Sequence, residues 1–188
     1  MATPFGHSLA GYVVYYFSKT SEKSKQFGLI VLCILMANAP DLDFIPGILS
    51  GRPALYHQGI THSLGFALVI SLAVTGICRL TRFRGESFPF LFTLCFISYL
   101  SHLLMDLLGP DRRPPYGIPL FWPVSEEHFL SPLPLFLGVR HTSVTSGSTS
   151  QWVDGLLQLY NIAAIALEIL LIGSFILVAR RYRNKPIA

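Results

Sequence analysis

The sequence predicts an all-α fold: a polytopic membrane helix bundle of about five membrane helices, one of them short, with a long outer loop. Of its 188 residues, 52% are hydrophobic and only 13% are charged, against about 25% charged residues in a typical soluble domain. The apolar residues form five runs, and most basic residues lie between or after these runs. No linker-like stretch divides the chain, so residues 1–188 are expected to form a single membrane-embedded domain.

The first two apolar runs are short for a span of about 20 residues. The run from Pro4 to Phe17 lacks the basic start of a secretory signal and is expected to be a retained helix. The run from Phe27 to Ala37 is interpreted as a half-span inside the bundle or as a tilted helix extended by its flanks. Pro40 is expected to end it.

The third and fourth runs, from Thr61 to Leu80 and from Phe88 to Leu108, are long enough to span at about 1.5 Å per residue. Thr61 is a candidate cap for the third helix, and Gly59 a candidate for the preceding turn. Both runs are therefore predicted to be membrane helices.

The remainder of the chain is predicted to be a long loop followed by the last membrane helix. Residues 109–151 are rich in proline and should cover one end of the bundle, with a flexible tip near Thr142 to Ser150. Residues 152–179 form the clearest transmembrane helix, which ends in basic residues.

The basic residues predict the orientation of the bundle. Ten of the fourteen lie in segments that an alternating path places on one side: Lys19, Lys23, Lys25, Arg79, Arg82, Arg84, Arg180, Arg181, Arg183 and Lys185. The positive-inside rule makes that side cytoplasmic. We therefore expect a multi-pass protein of the bacterial inner membrane with a cytoplasmic C-terminus. Its expected partners are membrane lipids rather than nucleic acid, and the oligomeric state is not predicted.

Four ionisable patches interrupt the apolar sequence, and they share one side of the predicted topology. Their members are His7, Asp41, Asp43, His57, His62, His102 and Asp106. His102 and Asp106 are four residues apart and so lie on one helix face. On the predicted path every patch falls at the outer side, where the helix lengths place the histidines about 18 to 26 Å from the basic face. We expect the patches to meet in the outer part of the membrane.

Neutral imidazole and carboxylate groups are ligands of zinc and of similar divalent ions such as manganese. The candidate ligands are His7, Asp41 or Asp43, His62, His102 and Asp106, which exceed what one tetrahedral ion needs. A two-ion site bridged by Asp106 is therefore one interpretation. Bound metal would lower the pKa of water to about 7.

Other ionisable and sulfur-containing residues have weaker patterns. His57 is a candidate proton carrier, a group that supports a ligand, or a ligand itself, and Asp43 could orient water. Glu168 could pair with a polar group inside the bundle or lie at a tight helix contact. Cys33, Cys78 and Cys95 lack C-x-x-C spacing, so we expect small core or lipid-facing residues rather than a disulfide or a metal site.

Five motifs follow one another between about residues 6 and 125. They are Gly6-His7-Ser8-Leu9, Ala39-Pro40-Asp41-Leu42-Asp43, His57-Gln58-Gly59-Ile60-Thr61-His62-Ser63-Leu64, Tyr99-Leu100-Ser101-His102-Leu103-Leu104-Met105-Asp106 and Gly117-Ile118-Pro119-Leu120-Phe121-Trp122-Pro123. This combination resembles the bacterial membrane-bound metal-dependent hydrolase family of YdjM-like inner-membrane proteins. The resemblance implies a divalent-metal hydrolase. The metal ligands that it implies are His7, Asp41, Asp43, His62, His102 and Asp106.

The order His, Asp, His, His-x-x-x-Asp is also similar to that of the zinc-dependent phospholipase C and P1 nuclease group, which implies a phosphoester substrate. That group has a further His and a His-x-x-x-Glu. Here His128 and His141 remain, but Thr145 follows four residues after His141. Gln58 stands where the YdjM-like motif usually has Arg, and Arg112 or Arg113 could replace that cation.

Three functions are compatible with these patterns. The first is a hydrolase that acts at the outer interface on a phosphoester or lipid-linked substrate. The second is a transporter or channel whose His and Asp groups pass protons or metal ions, although apart from Glu168 the inner halves of the helices are almost wholly apolar. The third is a structural membrane protein stabilised by metal. Metal content and turnover separate them.

Overall fold

A computed structural model describes residues 1–18, 23–52, 55–81, 85–112, 114–140 and 158–183 of the protein. The α-helices in these ranges are α1 (Pro4–Phe17), α2 (Lys23–Asn38), α3 (Phe44–Leu49), α4 (Leu64–Leu80), α5 (Phe88–Leu107) and α6 (Leu159–Arg183). Two 3-10 turns, Ala39–Asp43 and Ile60–His62, precede α3 and α4. Within the described ranges there is no strand, only an isolated bridge between Ile118 and Phe129. The all-α prediction is confirmed.

Three stretches are long and apolar enough to cross a membrane: Gln26–Leu49, Phe88–Leu107 and Leu159–Val178. The helix observed in the third apolar run is shorter than the predicted span from Thr61 to Leu80. Its helix begins at Leu64 and has 17 residues, because Ile60–His62 form a separate 3-10 turn. Ser63, rather than Thr61, caps this helix by accepting a hydrogen bond from the Phe66 N–H.

The second apolar run is extended by its flanks, which was one of the two interpretations of this run. The α-helix ends just before Pro40, as expected, although the helical path continues beyond it. α2 ends at Asn38, and the chain continues through the Ala39–Asp43 turn into α3. Proline is tolerated there because it occupies the first turn of the 3-10 segment, where a backbone N–H has no helical partner.

Close backbone packing brings α1 and α2 together. A methyl group added to Gly11 would lie 2.6 Å from the Cys33 carbonyl oxygen, so only glycine fits this approach. α5 contacts α1, α2 and α4, while α6 contacts α1. Leu29, Leu91 and Leu103 are fully or almost fully buried between these helices. All three cysteines are unpaired and buried, which confirms that they are core residues.

The described part of the long loop covers one end of α4 and α5. The Leu64 N–H donates to the Leu120 carbonyl at 2.9 Å, and the Ser131 N–H donates to the Leu107 carbonyl at 2.9 Å. These bonds satisfy backbone groups at the helix ends, which lack partners within the helix. The predicted tip at 142–150 and the predicted start of the last helix at 152 lie outside the described residues.

Candidate metal centre

All seven predicted site residues meet at the end of the bundle covered by this loop. His7 lies in α1, Asp41 and Asp43 in the first 3-10 turn, His102 and Asp106 in α5, and His57 and His62 on the segment before α4. The His7, His62 and His102 side chains have no exposed area. The convergence inferred from the sequence is therefore a property of the fold.

Two short local structures place the ligands that are not on long helices. Pro40 opens a 3-10 turn that presents both carboxylates of the following Asp-Leu-Asp segment to the centre. Gln58 adopts a left-handed conformation, with φ of 64°, and its N–H donates to Asp43 Oδ2 at 3.1 Å. This reversal allows both His57 and His62 to face the same carboxylates.

The centre of the cluster is a pair of facing histidines. His62 Nε2 and His102 Nε2 are 3.2 Å apart. Asp41 Oδ1 lies 3.6 Å from both nitrogens. Asp106 Oδ2 lies 3.5 Å from His62 Nε2 and 3.4 Å from His102 Nε2. Zinc–ligand distances of about 2.0 to 2.2 Å in a tetrahedral arrangement place ligand atoms roughly 3.3 to 3.6 Å apart. Each carboxylate oxygen thus completes a triangle with the dimensions of one tetrahedral face.

A hydrogen bond on the far side of the His102 ring indicates that its Nε2 can donate a lone pair to a cation. His102 Nδ1 lies 2.8 Å from the Ala37 carbonyl oxygen, which can only accept. In the neutral ring the proton is therefore on Nδ1, and Nε2 carries a lone pair. Asp41 Oδ1 and Asp106 Oδ2 are buried and have no hydrogen-bond partner. Such converging lone pairs repel one another unless positive charge lies among them, so the donor set fits a divalent metal.

His7 extends the cluster on the other side of Asp106. Its Nε2 lies 3.4 Å from Asp106 Oδ1, and its ring stacks on His102 with centroids 3.7 Å apart. Both ring nitrogens of His7 are buried without a hydrogen-bond partner. His7, His102 and Asp106 form a second group that could hold an ion. The two oxygens of Asp106 face different histidines, an arrangement that suits a bridging carboxylate.

Asp43 differs from Asp41 because its oxygens already have partners. It accepts from His57 Nδ1 at 2.9 Å, from the Thr61 hydroxyl at 2.9 Å and from the Gln58 N–H. His62 Nδ1 lies 3.3 Å from Asp43 Oδ2. Asp43, His57 and His62 also form a third group of metal-ligating type. The hydrogen bonds favour Asp43 as the carboxylate that orients both rings, and the bare Oδ1 favours Asp41 as a direct ligand.

The pKa values of His57 and His62, the two site histidines on the segment before α4, are shifted in opposite directions. Burial lowers the pKa of His57 below 6.5, and this effect exceeds that of its hydrogen bond to Asp43. Burial also opposes the charge on His62, but hydrogen bonds to Asp106, Asp41 and Asp43 raise its pKa well above 6.5. Either a proton on His62 or a bound metal ion would therefore supply positive charge beside the carboxylates of Asp41, Asp43 and Asp106.

Two contacts at this site have no signal in the sequence. The Ala2 N–H donates to Asp106 Oδ1 at 3.0 Å. The thioether of Met1 contacts His57 Nε2. A backbone N–H occurs at almost every residue and methionine is a common apolar residue, so neither could be identified from the pattern.

The remaining ionisable candidates lie outside the cluster. His128 is exposed, with Nδ1 3.1 Å from the Glu126 carbonyl, and His141 lies outside the described residues. Glu168 is fully buried on α6 and accepts hydrogen bonds from the Thr3 N–H, at 2.8 Å, and from the Thr3 hydroxyl. Thr3 in turn caps α1. Both interpretations of Glu168 are observed. It pairs with Thr3 inside the bundle, and it lies at a close contact with α1, where a methyl group added to Gly6 would collide with its carboxylate.

Comparisons with known proteins agree with the membrane fold. A family model described as YdjM inner membrane protein matches residues 1–186. The chain is also similar to the inner membrane protein YbcI of Escherichia coli (strain K12), with 34% identity over 107 residues. That alignment covers 55% of this chain and 58% of YbcI, so the chain spans little more than half of this relative. No solved structure matches the chain.

Proposed function

The chain belongs to the YdjM family of inner membrane proteins, and from this premise we propose that it is a divalent-metal-dependent hydrolase of a phosphoester or lipid-linked substrate. The observation that supports the proposal most strongly is the buried pair of facing Nε2 atoms, 3.2 Å apart, with unpartnered oxygens of Asp41 and Asp106 beside it. Buried polar atoms without partners are rare in folded proteins. Their concentration here points to a ligand.

Asp41, His62 and His102 would hold one ion, with zinc as the first choice and manganese as the second. His7 and the second oxygen of Asp106 would complete a second position. When bound, such an ion activates water near neutral pH and stabilises negative charge on a phosphoryl or carbonyl oxygen. Histidine and aspartate together match this chemistry, since neutral rings give directional donors and the carboxylates offset the charge of the ion.

His57 is the candidate proton acceptor. With Nδ1 hydrogen-bonded to Asp43 Oδ1 at 2.9 Å, the neutral ring carries its lone pair on Nε2. Phe44 stacks on the ring at a centroid distance of 3.9 Å and holds its orientation. The Met1 thioether contacts this nitrogen in the structure. Once a water molecule takes the place of that thioether, His57 Nε2 would accept the proton that the water gives up when its oxygen attacks the substrate.

The motif order that resembles the phospholipase C and P1 nuclease group favours a phosphoester bond. The basic residues of the cytoplasmic loops favour an outer location for the site, accessible from the outer leaflet. The loop around Trp122, bonded to the start of α4, would form its cover. Arg112 is a candidate for the cation in place of the usual arginine at Gln58, and the alternative, Arg113, lies outside the described residues.

Turnover by the zinc-loaded protein tests the proposal. We expect purified protein in nanodiscs to hydrolyse bis(4-nitrophenyl) phosphate or a phospholipid in the disc. His57→Gln should retain zinc and lower kcat by about 10²- to 10⁴-fold, the usual contribution of a general acid or base. His128→Gln is the matched control, since this histidine is exposed and outside the cluster, and its rate should be unchanged.

Two results would contradict the hydrolase. Zinc bound at full stoichiometry without hydrolysis of any phosphoester would favour a structural metal. Equal rates for His57→Gln and the wild type would remove His57 from the mechanism.

One observation favours the transporter as the second candidate. Ser71, Thr75 and Ser98 are fully buried on α4 and α5, and their hydroxyl oxygens have no oxygen or nitrogen partner. They lie farther along these helices from the histidine cluster and could continue a polar path. Against it, Glu168 contacts Thr3 at the same end as the cluster rather than in the inner half. Zinc or proton flux into vesicles, lost in Ser98→Ala, would favour transport.

A further inference from the structure

A cavity of about 570 Å³ lies between the start of α1, the Ala39–Asp43 turn and the start of α6. Its size is within the range of about 300 to 1,000 Å³ that is common for small-molecule sites. Most of its walls are apolar. The side chains that form them include Phe5, Leu42, Phe44, Val139, Ile162 and Ile165.

The cavity is lined by one candidate ligand, Asp41, and by Met1 and Ala2, which contact His57 and Asp106 of the candidate metal centre. This is the carboxylate whose Oδ1 has no hydrogen-bond partner and lies 3.6 Å from both His62 Nε2 and His102 Nε2. A molecule in the cavity would therefore have its apolar part between α1 and α6 and one end beside the metal ligands.

A second cavity, of about 670 Å³, lies on the other side of the same turn and is lined by Phe66, Ile70 and Tyr99 among others. It reaches the cluster through Asp43. The Asp43 oxygens already accept hydrogen bonds from His57, Thr61 and Gln58. The second cavity therefore ends at a carboxylate whose hydrogen bonds are already made. The first cavity is the better candidate for a substrate.

Positive charge lies close to the rim of the first cavity. Val139 and Asn161 line it, and their neighbours in sequence, Arg140 and Tyr160, are in contact: the Arg140 guanidinium lies 3.7 Å from the Tyr160 ring centroid. Arg112 donates to the Tyr160 hydroxyl at 3.2 Å. These two cations close to the rim and the candidate metal centre, which shares Asp41 with the cavity, complement an anionic head group.

We propose that this cavity binds the alkyl chain of an amphiphilic substrate with an anionic phosphate head group, with the chain against Ile162 and Ile165 and the phosphate between Asp41 and Arg140. The assignment deepens the proposed function and rests on it for the role of the head group. It makes Ile165 and its neighbours determinants of chain length. The substrate is thus a lipid rather than a water-soluble phosphoester.

Photolabelling of the full chain in nanodiscs, loaded with zinc, tests this assignment. The probe is dodecyl phosphate with a diazirine near the end of the chain, and the control probe is the dodecanol with the same diazirine. We expect the phosphate probe to label residues of the first cavity, above all Ile162 and Ile165, several-fold more than the alcohol. Labelling mainly at Phe66 and Ile70 would overturn the proposal, as would equal labelling by both probes, which indicates an ordinary bilayer chain.

A pair of filling variants gives an independent test. Ile165→Trp should lower labelling of the first cavity several-fold, while Ile70→Trp, which fills the second cavity, should leave it unchanged. Zinc content measured in both variants shows that the centre is intact, and Ile162→Trp replaces Ile165→Trp if zinc is lost. Equal loss in the Ile165 and Ile70 variants would contradict the assignment.

The two proposals can fail separately. Hydrolysis of bis(4-nitrophenyl) phosphate without labelling of the cavity would overturn the alkyl-chain site and leave the hydrolase standing. Cavity labelling in a protein that binds zinc but hydrolyses no phosphoester would overturn the hydrolase alone.

Discussion

Replacing Asp41 and Asp43 separately by asparagine should have different consequences, although the two residues are only two positions apart: Asp43→Asn should lower stability more, and Asp41→Asn should lower metal affinity more. Asp43 accepts three hydrogen bonds, from His57, Thr61 and Gln58. In Asp43→Asn an amide NH₂ must face at least one of these donors. Leaving a buried donor without a charged acceptor costs about 1.5 to 3 kcal/mol, so the free energy of unfolding of the metal-free protein should fall by that amount.

The effect of Asp43→Asn on metal binding follows from its position behind the ligands. Loss of a carboxylate that orients a ligand histidine typically lowers metal affinity by about 10- to 100-fold, which corresponds to about 1.4 to 2.7 kcal/mol. Asp41→Asn should lower affinity further, since it removes a direct ligand. It should destabilise the metal-free protein less than Asp43→Asn, because no hydrogen bond to Asp41 Oδ1 is lost.

Two assays on detergent-purified protein check this pair of predictions. Competition with a chromophoric chelator gives the zinc affinity, and thermal unfolding in excess chelator gives the stability without metal. The reasoning is refuted if Asp43→Asn loses zinc more completely than Asp41→Asn, or if Asp41→Asn is the less stable metal-free protein.

Three further outcomes are expected from other parts of the structure. Glu168→Ala should lower the free energy of unfolding by about 1.5 to 3 kcal/mol, because it removes the acceptor for the Thr3 N–H and hydroxyl. Glu168→Gln keeps one acceptor oxygen and should lose less stability. Equal losses of stability in the two variants, measured by thermal unfolding, would contradict this role. Gly65→Ala should lower the free energy of unfolding by about 1 to 3 kcal/mol, since its methyl group would lie 2.5 Å from the Trp122 carbonyl oxygen. Gly76→Ala, with open space around it, should leave the free energy of unfolding unchanged or raise it by up to about 1 kcal/mol. Zinc affinity should rise as pH increases from about 6 to 8, because the raised pKa of His62 makes a proton compete with the metal at the lower pH. A zinc affinity that does not change with pH, measured by titration calorimetry, would contradict that competition.

The convergence of the cluster could be predicted because membrane topology restricts where polar groups lie. His102 and Asp106 occupy one face of an apolar helix, and the positive charges of the loops predict the direction of that helix in the membrane. Ionisable groups are costly in such surroundings, so each occurrence carries information. The same reasoning placed His7 and His62 at the same end.

Local geometry could not be predicted to the same degree. Thr61 and Ser63 are both good caps, and the choice depends on tertiary contacts: Thr61 donates to Asp43, while Ser63 caps α4. The continuation of the helical path past Pro40 depends on a switch to 3-10 geometry that the sequence pattern does not encode. The different roles of Asp41 and Asp43 depend on their hydrogen bonds, which only the folded chain defines.

The central claim is that the buried cluster holds a divalent metal, and elemental analysis of detergent-purified protein tests it most directly. The wild type should contain one or two zinc or manganese ions per chain. His102→Ala should lose them at equal helical content by circular dichroism, while His128→Ala, altered at an exposed histidine, should retain them. Absence of metal from the wild type after reconstitution with each candidate ion, or full retention in His102→Ala, would contradict the claim.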